Sequence, residues 1–139
     1  MDKFRLRVVT PDKTYLDEDI EVLTATTSNV GQVSILAHHL EMVANLDIAP
    51  LIVKANGHIS YYSLGGGVMS VRQDINTVII VSDYIESLDE IDLDRAISSK
   101  NEAEKMLGQV KTAREATEME RKIRRAINRI NLKSNYTNQ

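Results

Sequence analysis

Residues 77–96 read TVIIVSDYIESLDEIDLDRA, and the kind of order in the chain changes inside them. Thr77–Ser82 is the last of a series of short β-branched runs, whereas from Ile91 onward apolar residues recur at helical spacing. The charge balance shifts at the same place. Residues 1–88 carry 6 Lys and Arg against 11 Asp and Glu, and residues 89–139 carry 11 against 9. The chain therefore divides at about Leu88, into an N-terminal domain at 1–87 and a C-terminal one at 88–139.

Upstream of the division the period is two. Phe4, Leu6 and Val8 alternate with Arg5, Arg7 and Val9 and run into the turn signal Thr10-Pro11-Asp12. Further runs follow at intervals of about ten residues: Ile20–Thr26, Val33–Leu36, Leu51–Lys54, Ile59–Leu64, Val68–Arg72 and Thr77–Ser82. Turn signals separate them at Ser28-Asn29, Asn56-Gly57, Gly65-Gly66-Gly67 and Gln73-Asp74. Asn56-Gly57 is the strongest hairpin signal, because both residues tolerate the positive φ of a type I′ turn. Many short strands without a helical pattern between them predict an antiparallel β-sandwich or flattened barrel.

Downstream, Ala96, Ala103, Leu107 and Val110 share one helix face, and Ala116, Met119, Ile123, Ala126 and Ile130 share another. Asp92 or Ser87 serves as the first cap, Gly108 as a terminator, and Thr112-Ala113-Arg114-Glu115 has capping-box spacing. The short break predicts an antiparallel α-helical hairpin, with a frayed polar tail over Lys133–Gln139. Its contact face is largely alanine, which predicts a hairpin only lightly held together.

Composition excludes several function classes. No run approaches the roughly 18–20 apolar residues that span a bilayer. The start, MDKFRLRVVTPD, has no apolar core like that of a signal peptide, so residence in the cytosol is expected. The absence of cysteine excludes disulfides and thiolate metal sites, and the net charge of −3 gives no general attraction for nucleic acid.

Four segments, in this order, carry a resemblance to a known family. They are Val8-Val9-Thr10-Pro11-Asp12, Gly31-Gln32-Val33-Ser34-Ile35-Leu36, Leu64–Arg72 with its run of glycines, and Ile91-Asp92-Leu93-Asp94-Arg95-Ala96. Together they resemble the epsilon subunit of F-type ATP synthases over roughly Phe4–Leu132. The resemblance implies a non-catalytic central-stalk subunit with gamma, the c-ring, alpha and beta as partners. It also implies a bacterial source, and a peripheral place on the cytoplasmic side of the cell membrane, reached only through the complex. One loop departs from the family pattern. Where the family reads Pro-Gly-His-Ala-Pro, this chain has Ala37-His38-His39-Leu40-Glu41, keeping only His39 in register. By resemblance the c-ring contacts are two closed loops of the sandwich end, with Ser28, Asn29, Val30, Gly31, His38, His39 and Glu41.

The family likeness further implies a nucleotide site. Ile91, Asp92, Arg95 and Ala96 match its helix-opening motif, Glu86 an acidic position beside it, and Arg125 and Arg129 its second-helix arginines. The i,i+4 spacing puts both guanidiniums on one helix face, where they suit phosphate oxygens. Glu102 stands where nucleotide-binding relatives carry arginine, so an anion replaces a cation and a regulatory ATP is weakened. Asp92 as a cap and the arginines as an ordinary helix face form the stronger reading.

The tract Arg121, Lys122, Arg124, Arg125, Arg129 and Lys133 has no acid among it. By resemblance, an extended hairpin carries this basic helix toward acidic segments of alpha and beta and restrains ATP hydrolysis. Nucleic acid is the rival partner, disfavoured because no aromatics interleave the cations and the adjoining domain is acidic. His38, His39, Glu41 and His58 do not form a zinc site, because adjacent strand residues face opposite ways. Gly65–Gly67 is followed by a strand rather than a helix, so it reads as a crowded strand entry and not a phosphate cradle. No catalytic constellation emerges, and no cofactor is required. The alternatives are a free-standing β-sandwich adaptor or nucleotide-sensing module and, ranking behind them, a stand-alone enzyme.

Overall fold

The computed structural model describes residues 1–136, which form two compact units, Met1–Ser87 and Leu88 onward. The first holds strands β1 (Phe4–Val9), β2 (Thr14–Ile20), β3 (Val22–Thr27), β4 (Gly31–Leu36), β5 (Met42–Ala55), β6 (His58–Arg72), β7 (Thr77–Val81) and β8 (Ile85–Ser87). They hydrogen-bond in the order β2-β1-β7-β6-β5-β3-β4, with β8 added to β6. All ladders are antiparallel except β1 on β7, which is parallel.

The sheet closes over itself because alternate residues of every long strand are apolar on one side. Phe4, Leu6 and Val8 of β1, Leu23 and Ala25 of β3, Leu51 and Val53 of β5, and Val78 and Ile80 of β7 join one buried cluster. The Tyr15 ring of β2 meets Tyr62 of β6 edge-on, with centroids 6.2 Å apart, although these strands lie three places apart in the sheet order. A layer has therefore folded across another.

The long β5–β6 hairpin runs through both layers. Asn56 (φ 52) and Gly57 (φ 80) make the two-residue turn that the sequence announces. Beyond it the strands exceed the short runs read from sequence, and β6 continues through Gly65–Gly67 instead of turning there. The first half of β6 pairs with β8 and the second with β7, so the glycines mark the changeover. At Gly67 (φ 151) a Cβ would collide with the Val81 carbonyl oxygen. Pro50 is tolerated inside β5 because β3 pairs with Ile52–Lys54 and Leu46 but with nothing between.

Sequence patterning overlooks two strands, β8, which contains the Ser87 offered as a helix cap, and β2. In β2 the run Asp17-Glu18-Asp19 interrupts the apolar alternation, but it lies at the sheet edge, where charge discourages pairing with another chain. Arg5 of β1 secures it, donating from Nε to Asp17 Oδ1 at 2.7 Å and from Nη1 to Asp19 Oδ1 at 3.3 Å.

In the second unit a 3-10 turn (Leu88–Glu90) leads into α1 (Leu93–Leu107) and α2 (Ala113–Tyr136), packed together as a hairpin. Thr112 Oγ1 accepts from the Glu115 N–H at 3.1 Å, while Glu115 Oε2 accepts from Lys111 N–H at 3.3 Å, one residue earlier than a standard capping box. Gly108 closes α1 with a right-handed φ of −67, so its freedom to adopt positive φ goes unused. The tail expected to fray from Lys133 is helical to Tyr136; its last residues, 137–139, lie outside the described ones.

Candidate functional site

The two loops expected to meet a partner flank β4. Ser28, Asn29 and Val30 form the β3–β4 turn, closed by Thr27 Oγ1, which donates to Gly31 O at 2.9 Å and accepts from Val30 N–H at 3.2 Å. Ser28 Oγ reaches Asp47 Oδ1 at 3.0 Å. Gly31 enters β4 with φ 80. His38, His39 and Glu41 belong to the loop at the other end of β4, since Gly31 pairs with Thr27 and Leu36 with Val22. The expectation of two loops at one end of the sandwich is thus corrected. Six residues at about 3.3 Å each set the loops roughly 20 Å apart. Each still exposes an apolar side chain, Val30 at 75% and Leu40 at 72%.

Losing two prolines and a glycine has not left the second loop without constraint. His38, which occupies the family's glycine position, adopts φ 64, and its N–H donates to Asn76 Oδ1 at 2.8 Å. The His39 ring lies 2.9 Å from Leu40 O through Nδ1. His58 sits beside the Asn56-Gly57 turn, at the far end of the β5–β6 hairpin from these histidines. Among the described residues no group of three or more His, Asp or Glu is placed to hold a metal.

The helical unit gathers most of the expected nucleotide residues and gives several of them structural duties. Asp92 caps α1, its Oδ1 accepting from Arg95 N–H at 3.1 Å. Ile91 and Ala96 are buried, while the Arg95 and Glu102 side chains are exposed. Arg125 and Arg129 lie one turn apart on α2 and are half-buried, unlike Arg121, Lys122 and Arg124, which are exposed. The basic tract therefore splits into an exposed set and a packed pair. Glu86 belongs to the sheet unit, in β8, where the Tyr84 hydroxyl donates to its Oε1 at 2.7 Å.

Between the helices, the buried positions include Ala96 and Ala103 of α1 and Met119 and Ala126 of α2. Asn128 and Leu132 of α2 are buried as well, so alanine makes up only part of the packed face, and at about 25 cal/mol per Å² the helices gain a few kcal/mol from their burial. Lys133 Nζ donates to Leu88 O at 3.0 Å, tying the end of α2 to the start of the unit.

Comparison with family models divides the chain where its order changes. Residues 3–87 match the β-sandwich domain of the ATP synthase delta/epsilon chain, and residues 89–134 match its long α-helix domain. The chain belongs to the ATP synthase delta/epsilon family. Its relatives include the ATP synthase epsilon chains of Alkaliphilus metalliredigens, 35% identical over 96% of this chain and 97% of that one, and of Ruminococcus albus, 36% identical over 93% and 95%. A chain of the Euglena gracilis mitochondrial ATP synthase, in a structure of its OSCP, F1 and c-ring, shares the fold with a TM-score of 0.75 at 24% identity. That likeness covers 91% of this chain and 78% of the other. The fold class read from sequence, a β-sandwich followed by a helical hairpin, is that of the family. No helix of the described residues is long and apolar enough to cross a membrane.

Asn76 escapes sequence reading. It follows the Gln73-Asp74 turn signal, but the segments it holds lie 38 and 73 positions away. No local pattern announces such contacts.

Proposed function

We propose that this chain is the epsilon subunit of an F-type ATP synthase. It is a non-catalytic part of the central stalk, joining the gamma subunit to the c-ring and held at the membrane through the complex. The observation that carries this reading is the ordered match of both units, sandwich then helices, to one family along nearly the whole chain. The sandwich, 1–87, acts as the coupling wedge and transmits torque; its buried apolar cluster suits it to a rigid role. Ring contacts come from the loops on either side of β4: Ser28, Asn29, Val30 and Gly31, and His38, His39 and Glu41.

The hairpin, 88–139, acts as the regulatory element. Its lightly packed seam lets a few kcal/mol shift it between folded and extended forms. When extended, Arg121, Lys122 and Arg124, with Arg125 and Arg129, face acidic segments of alpha and beta and restrain hydrolysis. A regulatory ATP has little support, since Asp92 already caps α1, Ile91 and Ala96 are packed, and Glu102 places an anion on α1. The cytoplasmic face of a bacterial membrane is the expected location.

The test is an assembled enzyme whose chain stops after Ser87. Assembly should be retained and ATP hydrolysis should rise. Loss of assembly would show that the helices carry the stalk contacts and would overturn this division of labour.

A further inference from the structure

We propose that Asn76 is the positioning residue of the Ala37–Glu41 loop, standing in for the backbone constraints that the loop's own sequence lacks. A β-carbon at positive φ crowds the backbone, so His38 at φ 64 holds a conformation that a glycine would adopt without strain. Something must compensate, and among the described residues the loop's own hydrogen bonds are the His39 N–H to Leu36 O bond at 3.3 Å and the His39 ring contact with Leu40 O. Outside the loop, the His38 ring lies 4.0 Å from Asp2 Oδ2 through Nε2, a long contact between two exposed side chains, and the backbone itself is held by Asn76. Its Oδ1 accepts from His38 N–H at 2.8 Å, and its Nδ2 donates to Lys3 O at 2.9 Å.

Asn76 is itself fixed from both sides of its backbone. Its N–H donates to Gln73 O at 3.2 Å and its carbonyl accepts from Arg5 N–H at 3.1 Å. With φ 48 it closes the β6–β7 turn, so the side chain is held by the register of β1 and β7 and carries that register into the loop. One carboxamide thus joins the N-terminal segment, the β6–β7 turn and the β4–β5 loop. The same loop presents Leu40, 72% exposed, and enters β5 beside Val43, 73% exposed. What these apolar side chains meet rests on the ring contact proposed above; the brace itself does not.

The test uses the full chain with Asn76→Ala, Asn76→Asp and the double variant Asn76→Ala with His38→Gly. In Asn76→Ala, amide hydrogen exchange at His38 should quicken by about tenfold, the loss of one hydrogen bond and the relaxation it permits. Asn76→Asp keeps the acceptor, so His38 should stay protected although the bond to Lys3 is gone. Asn76→Ala should also lower the thermal unfolding midpoint of the chain, and adding His38→Gly should recover part of that loss, because glycine needs no brace at the φ of 64. Unchanged exchange at His38 in Asn76→Ala would overturn the proposal, as would failure of the glycine to rescue. Leu40→Glu separates the two readings. If it leaves assembly intact, the ring contact of this loop fails while the exchange result still judges the brace.

Discussion

Asp92 Oδ1 accepts a hydrogen bond from the Arg95 backbone N–H at 3.1 Å, joining two residues of the helix-opening motif by a bond that needs no ligand. The extended backbone of Asp92 (φ −96, ψ 108) is that of an N-cap, and its carboxylate also faces the positive end of the α1 dipole. Asp92→Ala should therefore destabilise the hairpin by about 1 kcal/mol, whereas Asp92→Asn should be nearly neutral. Hydrogen exchange of the first-turn amides of α1 measures this. Equal protection in the wild type and Asp92→Ala would contradict the cap.

The same bond bears on nucleotide. With Asp92 engaged and Glu102 exposed on the same helix, millimolar ATP should leave the thermal unfolding midpoint of the isolated chain unchanged. A ligand at a hundredfold excess over its Kd stabilises by about 2.7 kcal/mol, which a melting curve would register. A clear upward shift would restore the ATP site, and Arg125→Ala would then be expected to abolish it.

Gly67→Ala should destabilise the sheet unit by roughly 3 kcal/mol, combining backbone strain with overpacking against Val81. The neighbouring Ser82 cannot easily retreat, because its Oγ donates to Gly66 O and accepts from Tyr84 N–H at 3.3 Å. Urea denaturation of the chain gives the number. Gly57→Ala is the control, strained by its φ of 80 but with no atom within 4 Å of the added carbon, and it should cost less.

The hydrogen bond from Arg5 holds the Asp17 carboxyl below the usual carboxylate range. A depressed folded-state pKa means that this contribution is present above the ordinary Asp value, about 3.9, and is lost as pH falls through the lowered one. Both groups are exposed, so solvent keeps the effect small. Asp17→Asn should lower stability slightly at neutral pH and make no difference in strong acid. A difference that grows on acidification would contradict the assignment.

Much of the fold was legible because its signals are local. The alternation at Phe4–Val9, the Asn56-Gly57 turn and the caps at Asp92 and Thr112 each act within a few residues. What was hidden depends on distant partners. β2 is a strand because Arg5 and the sheet edge accommodate its acids, and the glycines of β6 are a changeover because β8 arrives from further along the chain. In the candidate site, the chemistry of each residue could be read but not its neighbours. Glu86 pairs with Tyr84, Arg125 and Arg129 are packed while Arg121 is exposed, and the two loops stand at opposite ends of β4. The brace on His38 comes from a turn 38 positions later.

The measurement that bears most directly on the account is cross-linking mass spectrometry of the chain purified with its native partners. The account predicts gamma, c, alpha and beta subunits in the preparation, links from residues 1–87 to gamma and c, and links from Lys122 or Lys133 to alpha or beta only in the inhibited enzyme. A stable monomer recovered with none of these subunits would contradict it.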